Sequence, residues 1–113
     1  MTEQGRTVES VRRANLGSIL GIVHRDGPQS RAALTESTGL NRSTIADLVG
    51  TLVGFGLVTE RAPDPSHRVG RPSPMVAVDP SVVAIAVNPE VDALAIAAVG
   101  LDRDIRAVVV LPQ

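Results

Sequence analysis

A group of polar residues at the start of one amphipathic segment carries side chains suited to nucleic acid. The group consists of Asn41, Arg42, Ser43, Thr44 and Asp47. An arginine such as Arg42 can donate two hydrogen bonds to guanine O6 and N7 or bind a phosphate, and short hydroxyl side chains can bond phosphates or base edges. Asp47 can accept from cytosine N4, or it can orient Arg42 or Arg31. The pattern predicts contact with double-stranded DNA.

The amino-acid composition indicates neither a catalytic site nor a metal site. The chain has 113 residues and no cysteine, which excludes disulfides, thiolate metal sites and cysteine nucleophiles. We interpret the two histidines, His24 and His67, as a structural helix-end residue and a solvated loop residue. The sequence shows no nucleophile–base pair and no carboxylates at metal-ligand spacing, so we expect no enzyme, no cofactor and no metal.

A first helix is predicted from Glu9 to about Arg25. Its apolar residues recur at helical spacing, and Gly27 and Pro28 end it. They are Val11, Ala14, Leu16, Ile19, Leu20, Ile22 and Val23. Residues 1–10 are expected to form a flexible N-terminus.

Two further helices are predicted to hold the polar group. Ser30 is the expected N-cap of a helix over residues 31–38, and Gly39 supplies the left-handed residue after it. Asn41 is the expected N-cap of a helix from Arg42 to about Phe55. The apolar residues expected to face inward on this last helix are Ile45, Leu48, Val49, Leu52 and Val53.

These two helices have the spacing of a helix-turn-helix. Leu34, Ile45 and Leu48 would form a shared core, and the last helix could then enter the major groove by its N-terminal end. Such spacings also occur by chance in α-helical proteins, where Ser43 and Thr44 would be only a polar first turn.

A hairpin with a basic tip follows the helices. Residues 57–61 alternate apolar and polar, residues 75–78 can return as the partner strand, and residues 62–74 form a loop rich in Pro, Ser and Gly. Arg68, Gly70 and Arg71 lie in that loop and are predicted to contact phosphate or a narrow minor groove. The alternative is an ordinary exposed loop with scattered arginines. Together with the helices, the hairpin predicts a winged helix over residues 11–78.

The last segment, residues 79–113, has a different character. Residues 82–87, 93–99 and 105–111 predict three strands of an antiparallel meander, with residues 88–90 and 100–104 as loops. Strands that are apolar on both faces are normally covered on both faces. We therefore expect this segment to open a larger domain or to be covered by a partner chain. The predicted fold class is α+β, a winged helix-turn-helix followed by a short β-meander.

The charge is unevenly distributed, although the net charge is only −1. Residues 11–74 carry eight arginines against five acids, whereas residues 75–113 carry two arginines against five acids. This weak asymmetry is compatible with nucleic acid as the partner of the first part. No apolar run approaches the ~20 residues that span a bilayer, and the N-terminus lacks a signal-peptide pattern, so we expect a cytoplasmic protein without a membrane partner.

The ordered motifs resemble the N-terminus of the ROK-family transcriptional regulators (repressor, open reading frame, kinase). The resemblance spans residues 11–113 and rests on several separate elements. These are Arg13-Ala14-Asn15-Leu16, Ile19-Leu20, Gly27-Pro28, Ser30-Arg31-Ala32, Thr38-Gly39-Leu40, Arg42-Ser43-Thr44, Gly56-Leu57-Val58 and Gly70-Arg71-Pro72.

The resemblance implies a winged helix like that of MarR-type regulators, which binds operator DNA as a dimer or tetramer. It also implies that residues 82–113 begin a sugar-kinase-like domain that senses a sugar or sugar phosphate. Family kinases carry an Asp-Gly phosphate loop after the first strand, but residues 87–90 here read Val-Asn-Pro-Glu. The zinc-binding and sugar-binding motifs lie further on in the family. We therefore expect a truncated regulator or a fragment that neither phosphorylates a sugar nor holds zinc.

The predicted function is a sequence-specific DNA-binding regulator, a repressor acting as a homodimer. The predicted DNA contacts are Arg31, Asn41, Arg42, Ser43, Thr44, Asp47, Arg68, Gly70 and Arg71. A sugar effector is expected only with a complete C-terminal domain. The alternatives are a protein-interaction module with the same fold, or an inactive fragment of a sugar kinase.

Overall fold

A computed structural model of the chain describes residues 3–63 and 73–112. Contacts within the chain divide it into two units, Met1–Val78 and Asp79–Gln113. The described residues form three helices and two antiparallel sheets. The elements are α1 (Glu3–Asp26), β1 (Gln29–Ser30), α2 (Arg31–Thr38), α3 (Arg42–Gly54), β2 (Val58–Arg61), β3 (Met75–Val78), β4 (Val83–Pro89), β5 (Ala93–Gly100) and β6 (Ile105–Pro112).

The core of the first unit is aliphatic. Leu34, Ile45 and Leu48 are buried, as the helix-turn-helix spacing predicted. The whole buried cluster is Ile19, Val23, Leu34, Ile45, Leu48, Val49, Leu52, Val58 and Val76. Because the side chains of isoleucine, leucine and valine fill this space without polar atoms, the core holds the helices together mainly by burial of apolar surface.

The expectation that Val53 faces the core is wrong, since it is 41% exposed. Ile45, Leu48, Val49 and Leu52 already form the i, i+3, i+4, i+7 stripe of one helix face. Val53 lies one residue, or about 100°, beyond Leu52 and falls outside that stripe.

α1 begins at Glu3 and not at Glu9, so the segment predicted to be flexible is helical from its third residue. No proline interrupts residues 3–26, and adding turns to an existing helix costs little once it is nucleated. Val11 is 50% exposed, and Ala14 is exposed as well, so the buried stripe of α1 is narrower than the sequence suggested.

The turn between α2 and α3 matches the prediction. The Ser30 hydroxyl accepts a hydrogen bond from the backbone N–H of Ala33 at 2.9 Å and caps α2. Gly39 ends α2 with φ 76°, and its N–H donates to the carbonyl of Thr35. A side chain at this backbone conformation would clash with its own carbonyl, which is why glycine is needed here.

β3 is the central strand of a three-stranded sheet in the order β1-β3-β2. The predicted hairpin is present, with Val58 opposite Val78 and Arg61 opposite Met75. β1 was not predicted, because two residues are too short to show a period. It pairs Gln29 with Val76 and so ties the start of α2 to the hairpin.

The second unit is the predicted meander, with strand order β4-β5-β6. β4 extends through Asn88 to Pro89, which the sequence had assigned to a loop. β4 is an edge strand, where a proline removes no ladder bond from a second neighbour. Every residue of β4 and β6 is exposed, including Ile85 at 62% and the successive Val108 and Val109 at 59% and 49%. Apolar surface is therefore exposed on both faces of β6.

Arg106 stabilises the turn between β5 and β6. Arg106 binds Asp102 at 2.8 Å and the carbonyl oxygen of Pro80 at 3.0 Å. The hydrogen bond from Arg106 lowers the pKa of Asp102 below its ordinary value. These contacts support the interpretation of residues 102–104 as a hairpin turn.

Glycine in the α2–α3 turn and glycine inside α3 are expected to respond oppositely to alanine. Gly39→Ala should lower the free energy of unfolding by ~1–2 kcal/mol, because alanine is strained in the left-handed region. Gly50 lies within α3, is exposed, and an added Cβ there meets nothing within 4 Å. Gly50→Ala should therefore raise the free energy of unfolding by ~0.5–1 kcal/mol. Urea unfolding of both variants beside the wild type measures the two changes, and a shift of the same sign in both would contradict this account.

Candidate nucleic-acid interface

The start of α3 is organised by its cap residue. The side-chain Oδ1 of Asn41 accepts from the backbone N–H of Thr44 at 2.8 Å and from the Ser43 hydroxyl at 2.9 Å. Among the described residues, nothing accepts from the backbone N–H groups of Arg42 and Ser43. Free N–H groups and the positive end of the helix dipole both favour an anion such as a phosphate.

Most of the predicted contact residues of α3 are at the surface. Arg42, Ser43 and Asp47 are exposed, and Thr44 is half-buried. Arg42 makes no ion pair or side-chain hydrogen bond with the described part of the chain. Its guanidinium group is therefore available to a ligand, whereas Thr44 also lines the shallow groove between α3 and α1.

Asp47 has a partner that the sequence did not indicate. Arg12 of α1 donates one hydrogen bond from Nη1 to Asp47 Oδ2 at 2.8 Å and another from Nη2 to Thr51 Oγ1 at 2.9 Å. The interpretation that Asp47 orients Arg42 or Arg31 is therefore not supported, because Arg12 holds the carboxylate. No local signal could have found this pair, since 35 residues separate the two side chains along the chain.

Arg31 lies away from this group and joins α2 to β2. Its guanidinium binds the Glu60 carboxylate through two nitrogens, the second at 2.7 Å. This pairing raises the pKa of Arg31 above its ordinary value. The backbone N–H of Arg31 also donates to the Pro74 carbonyl at 3.0 Å, and that of Ala32 to the Ser73 hydroxyl at 3.1 Å. The base of the hairpin is thus attached to the first turn of α2.

The predicted tip of the hairpin, with Arg68, Gly70 and Arg71, lies outside the described residues, as does His67. The strands that carry the tip, β2 and β3, are present as predicted. His24 is in the last turn of α1, at the helix end where the sequence placed it.

Other kinds of site find no geometric support in the part of the chain that the structure describes. Over residues 3–63 and 73–112, no three acidic or histidine side chains come together as a metal site would require. Within the same ranges, no helix combines the length and the apolar character needed to cross a membrane.

Known repressors are similar to this chain over most of its length. The xylose repressor of Bacillus spizizenii strain W23 is 31% identical over 103 residues, which cover 91% of this chain and 26% of the repressor. The xylose repressor of Bacillus subtilis strain 168 is 30% identical over the same length, with the same coverage. No model of a protein family matches the sequence.

A solved structure has the same fold. It is a ROK family transcriptional regulator described as a homologue of the E. coli MLC protein, with a TM-score of 0.66 and 18% identity, covering 90% of this chain and 26% of that one. This chain is similar in sequence to the xylose repressors and in fold to the ROK-family regulator, in line with the resemblance of its motifs. It spans about a quarter of the length of the ROK regulator and of the xylose repressors.

The cap of α3 is expected to contribute measurably to stability. Asn41→Ala should lower the free energy of unfolding by ~1 kcal/mol, because the Thr44 N–H loses its acceptor. Asn41→Ser keeps an oxygen that can cap and should remain close to the wild type. Urea unfolding followed by circular dichroism measures both variants, and an equal loss in the two would mean that the cap does not act through its oxygen.

Proposed function

We propose that this chain carries the DNA-binding module of a transcriptional repressor. In this proposal the first unit is a winged helix of the MarR-like type, and α3 enters the major groove by its N-terminal end. The observation that carries the proposal is the exposed Arg42, which forms no ion pair with residues 3–63 or 73–112. Beside it, at the start of α3, lie two backbone N–H groups for which the same residues supply no acceptor. The repressor names of the similar proteins support the same function.

The geometry at the start of α3 supports a separate role in this proposal for Arg42, Ser43 and Asn41. Arg42 donates to guanine O6 and N7, because its guanidinium is exposed and forms no ion pair in the described part of the chain. The free N–H groups of Arg42 and Ser43 bind a phosphate and set the register on the duplex. Asn41 acts through the cap rather than through a base, since its Oδ1 already accepts two hydrogen bonds.

The hairpin supplies a second point of contact in this proposal. Arg71, with Arg68 and Gly70, approaches the phosphates or the minor groove beside the site of α3. Arg31 has a different role from the one predicted, because its pairing with Glu60 attaches the hairpin to α2. It thereby sets the position of the hairpin strands against the helices.

The remaining parts of the proposal concern a complete regulator. Such a protein would act in the cytoplasm as a homodimer on a two-fold operator, since one module of this size gives modest affinity. A sugar or sugar phosphate would be its effector, bound by a complete sugar-kinase-like domain. The repressor-type relatives and the absence of an Asp-Gly pair at residues 87–90 both favour a regulator over a kinase.

Binding to duplex DNA is expected to depend on Arg42 in a sequence-specific way. Arg42→Ala should weaken binding to the selected site by ~1–3 kcal/mol and relax the preference at one base pair. Arg71→Ala should weaken binding to all sequences more evenly and reduce the slope of log K against log salt by about one. Selection from random duplexes, followed by titration at several salt concentrations, measures both effects.

Arg13→Ala is the control. Arg13 is exposed on α1, and its replacement removes one positive charge, as Arg42→Ala and Arg71→Ala do. A wild-type chain whose association with duplex DNA is absent or insensitive to salt would instead indicate a protein-interaction module.

A further inference from the structure

Arg12 connects α1 to the outer face of α3 through a small polar network. One guanidinium nitrogen binds Asp47 Oδ2 at 2.8 Å, and the other donates to the Thr51 hydroxyl oxygen at 2.9 Å. The Thr51 hydroxyl in turn donates to the backbone carbonyl of Asp47 at 3.1 Å. The two α3 residues are four positions apart and therefore lie on one helix face. A single arginine fork thus fixes both side chains.

The network lies on the face of α3 that carries Ser43. Ser43, Asp47 and Thr51 follow one another at intervals of four residues. The side chains of Arg12 and Asp47 remain 43% and 63% exposed, so a ligand lying along this face would meet both. Asp47 Oδ1 has no hydrogen-bond donor among the described residues, so it is open to an outside donor.

We propose that Arg12 is a positioning residue for base recognition, which holds Asp47 so that its Oδ1 accepts from the N4 amino group of a cytosine. This inference rests on the proposed function, because it requires α3 in the major groove. Cytosine N4 is the major-groove donor that carboxylates contact. Without Arg12, the Asp47 carboxylate is free to rotate and its charge faces the phosphates uncompensated.

In this proposal Arg12 contributes little to the free energy of folding, and its main effect is on base recognition. Exposed ion pairs contribute little to stability, because water and salt screen them and both side chains lose freedom. Against DNA the balance differs, since an uncompensated carboxylate is repelled by the backbone. A bidentate fork restrains direction as well as charge, which a base contact requires.

The test compares base preferences at each position of the selected site. Wild-type chain, Asp47→Ala, Arg12→Ala and Arg13→Ala are each used to select from random duplexes. Asp47→Ala should lose a preference for cytosine at one position, and Arg12→Ala should lose the same preference, by about tenfold. Arg13→Ala removes the same charge from the adjacent residue and should keep that preference.

Two further variants separate the effect of the direction in which Arg12 holds Asp47 from the effect of the charge of Arg12. A comparison of unfolding midpoints then tests whether the fold is retained. Arg12→Lys keeps the charge but cannot hold Asp47 and Thr51 with one fork, so it should lose part of the preference. Thr51→Val removes the second anchor with little change in shape and should also lose part of it. Thermal unfolding midpoints of Arg12→Ala and Arg13→Ala should be similar, which excludes loss of fold as the cause.

The result that overturns the inference is distinct from failure of the proposed function. If the wild type selects a site and Arg12→Ala keeps every base preference, Arg12 does not position Asp47 for recognition. The same holds if Asp47→Ala loses no preference. If the wild type selects no duplex at all, the proposed function itself is wrong.

Discussion

The aliphatic contact between α2 and α3 is the interaction on which the rest of the first unit depends. Leu34 from α2 meets Ile45 and Leu48 from α3, and all three side chains are almost fully buried. Their burial sets the direction of α3, while the left-handed Gly39 lets the chain reverse within a few residues. Because the apolar face is used in this contact, the polar start of α3 is left at the surface. The candidate interface is thus a consequence of how the core is packed.

Polar contacts then attach the surface elements to this core. Arg31 with Glu60 joins α2 to β2, and Arg12 with Asp47 joins α1 to α3. Exposed pairs of this kind contribute little to the free energy of folding, but they restrict the directions of side chains and strands. In a protein that reads a duplex, direction matters because a base contact is lost when a donor or acceptor turns away. The same residues can therefore be minor for stability and important for recognition.

The second unit is a sheet whose edge strands are exposed along their whole length. β4 and β6 carry large aliphatic residues that remain open to solvent, and β5 between them is only half-buried. A sheet of three strands is stabilised by burying a hydrophobic face, and in this unit large aliphatic residues of the described strands remain exposed. The chain aligns with about a quarter of the length of each relative.

The sequence by itself determined the three helices, the hairpin and the meander, and most of the residues of the helical core. Ser30, Gly39 and Asn41 mark helix ends through local chemistry, and the spacing of Leu34, Ile45 and Leu48 identifies the buried face, because both signals act over a few residues. The hairpin follows from the alternation of apolar and polar residues at 57–61, and the meander follows from three apolar runs separated by loop residues. The short strand β1, the exposure of Val53, and the partners of Asp47 and Arg31 were decided by tertiary structure. Each of these depends on residues that are distant along the chain, and a side chain with several possible ion-pair partners acquires one only when the packed helices bring that partner within reach.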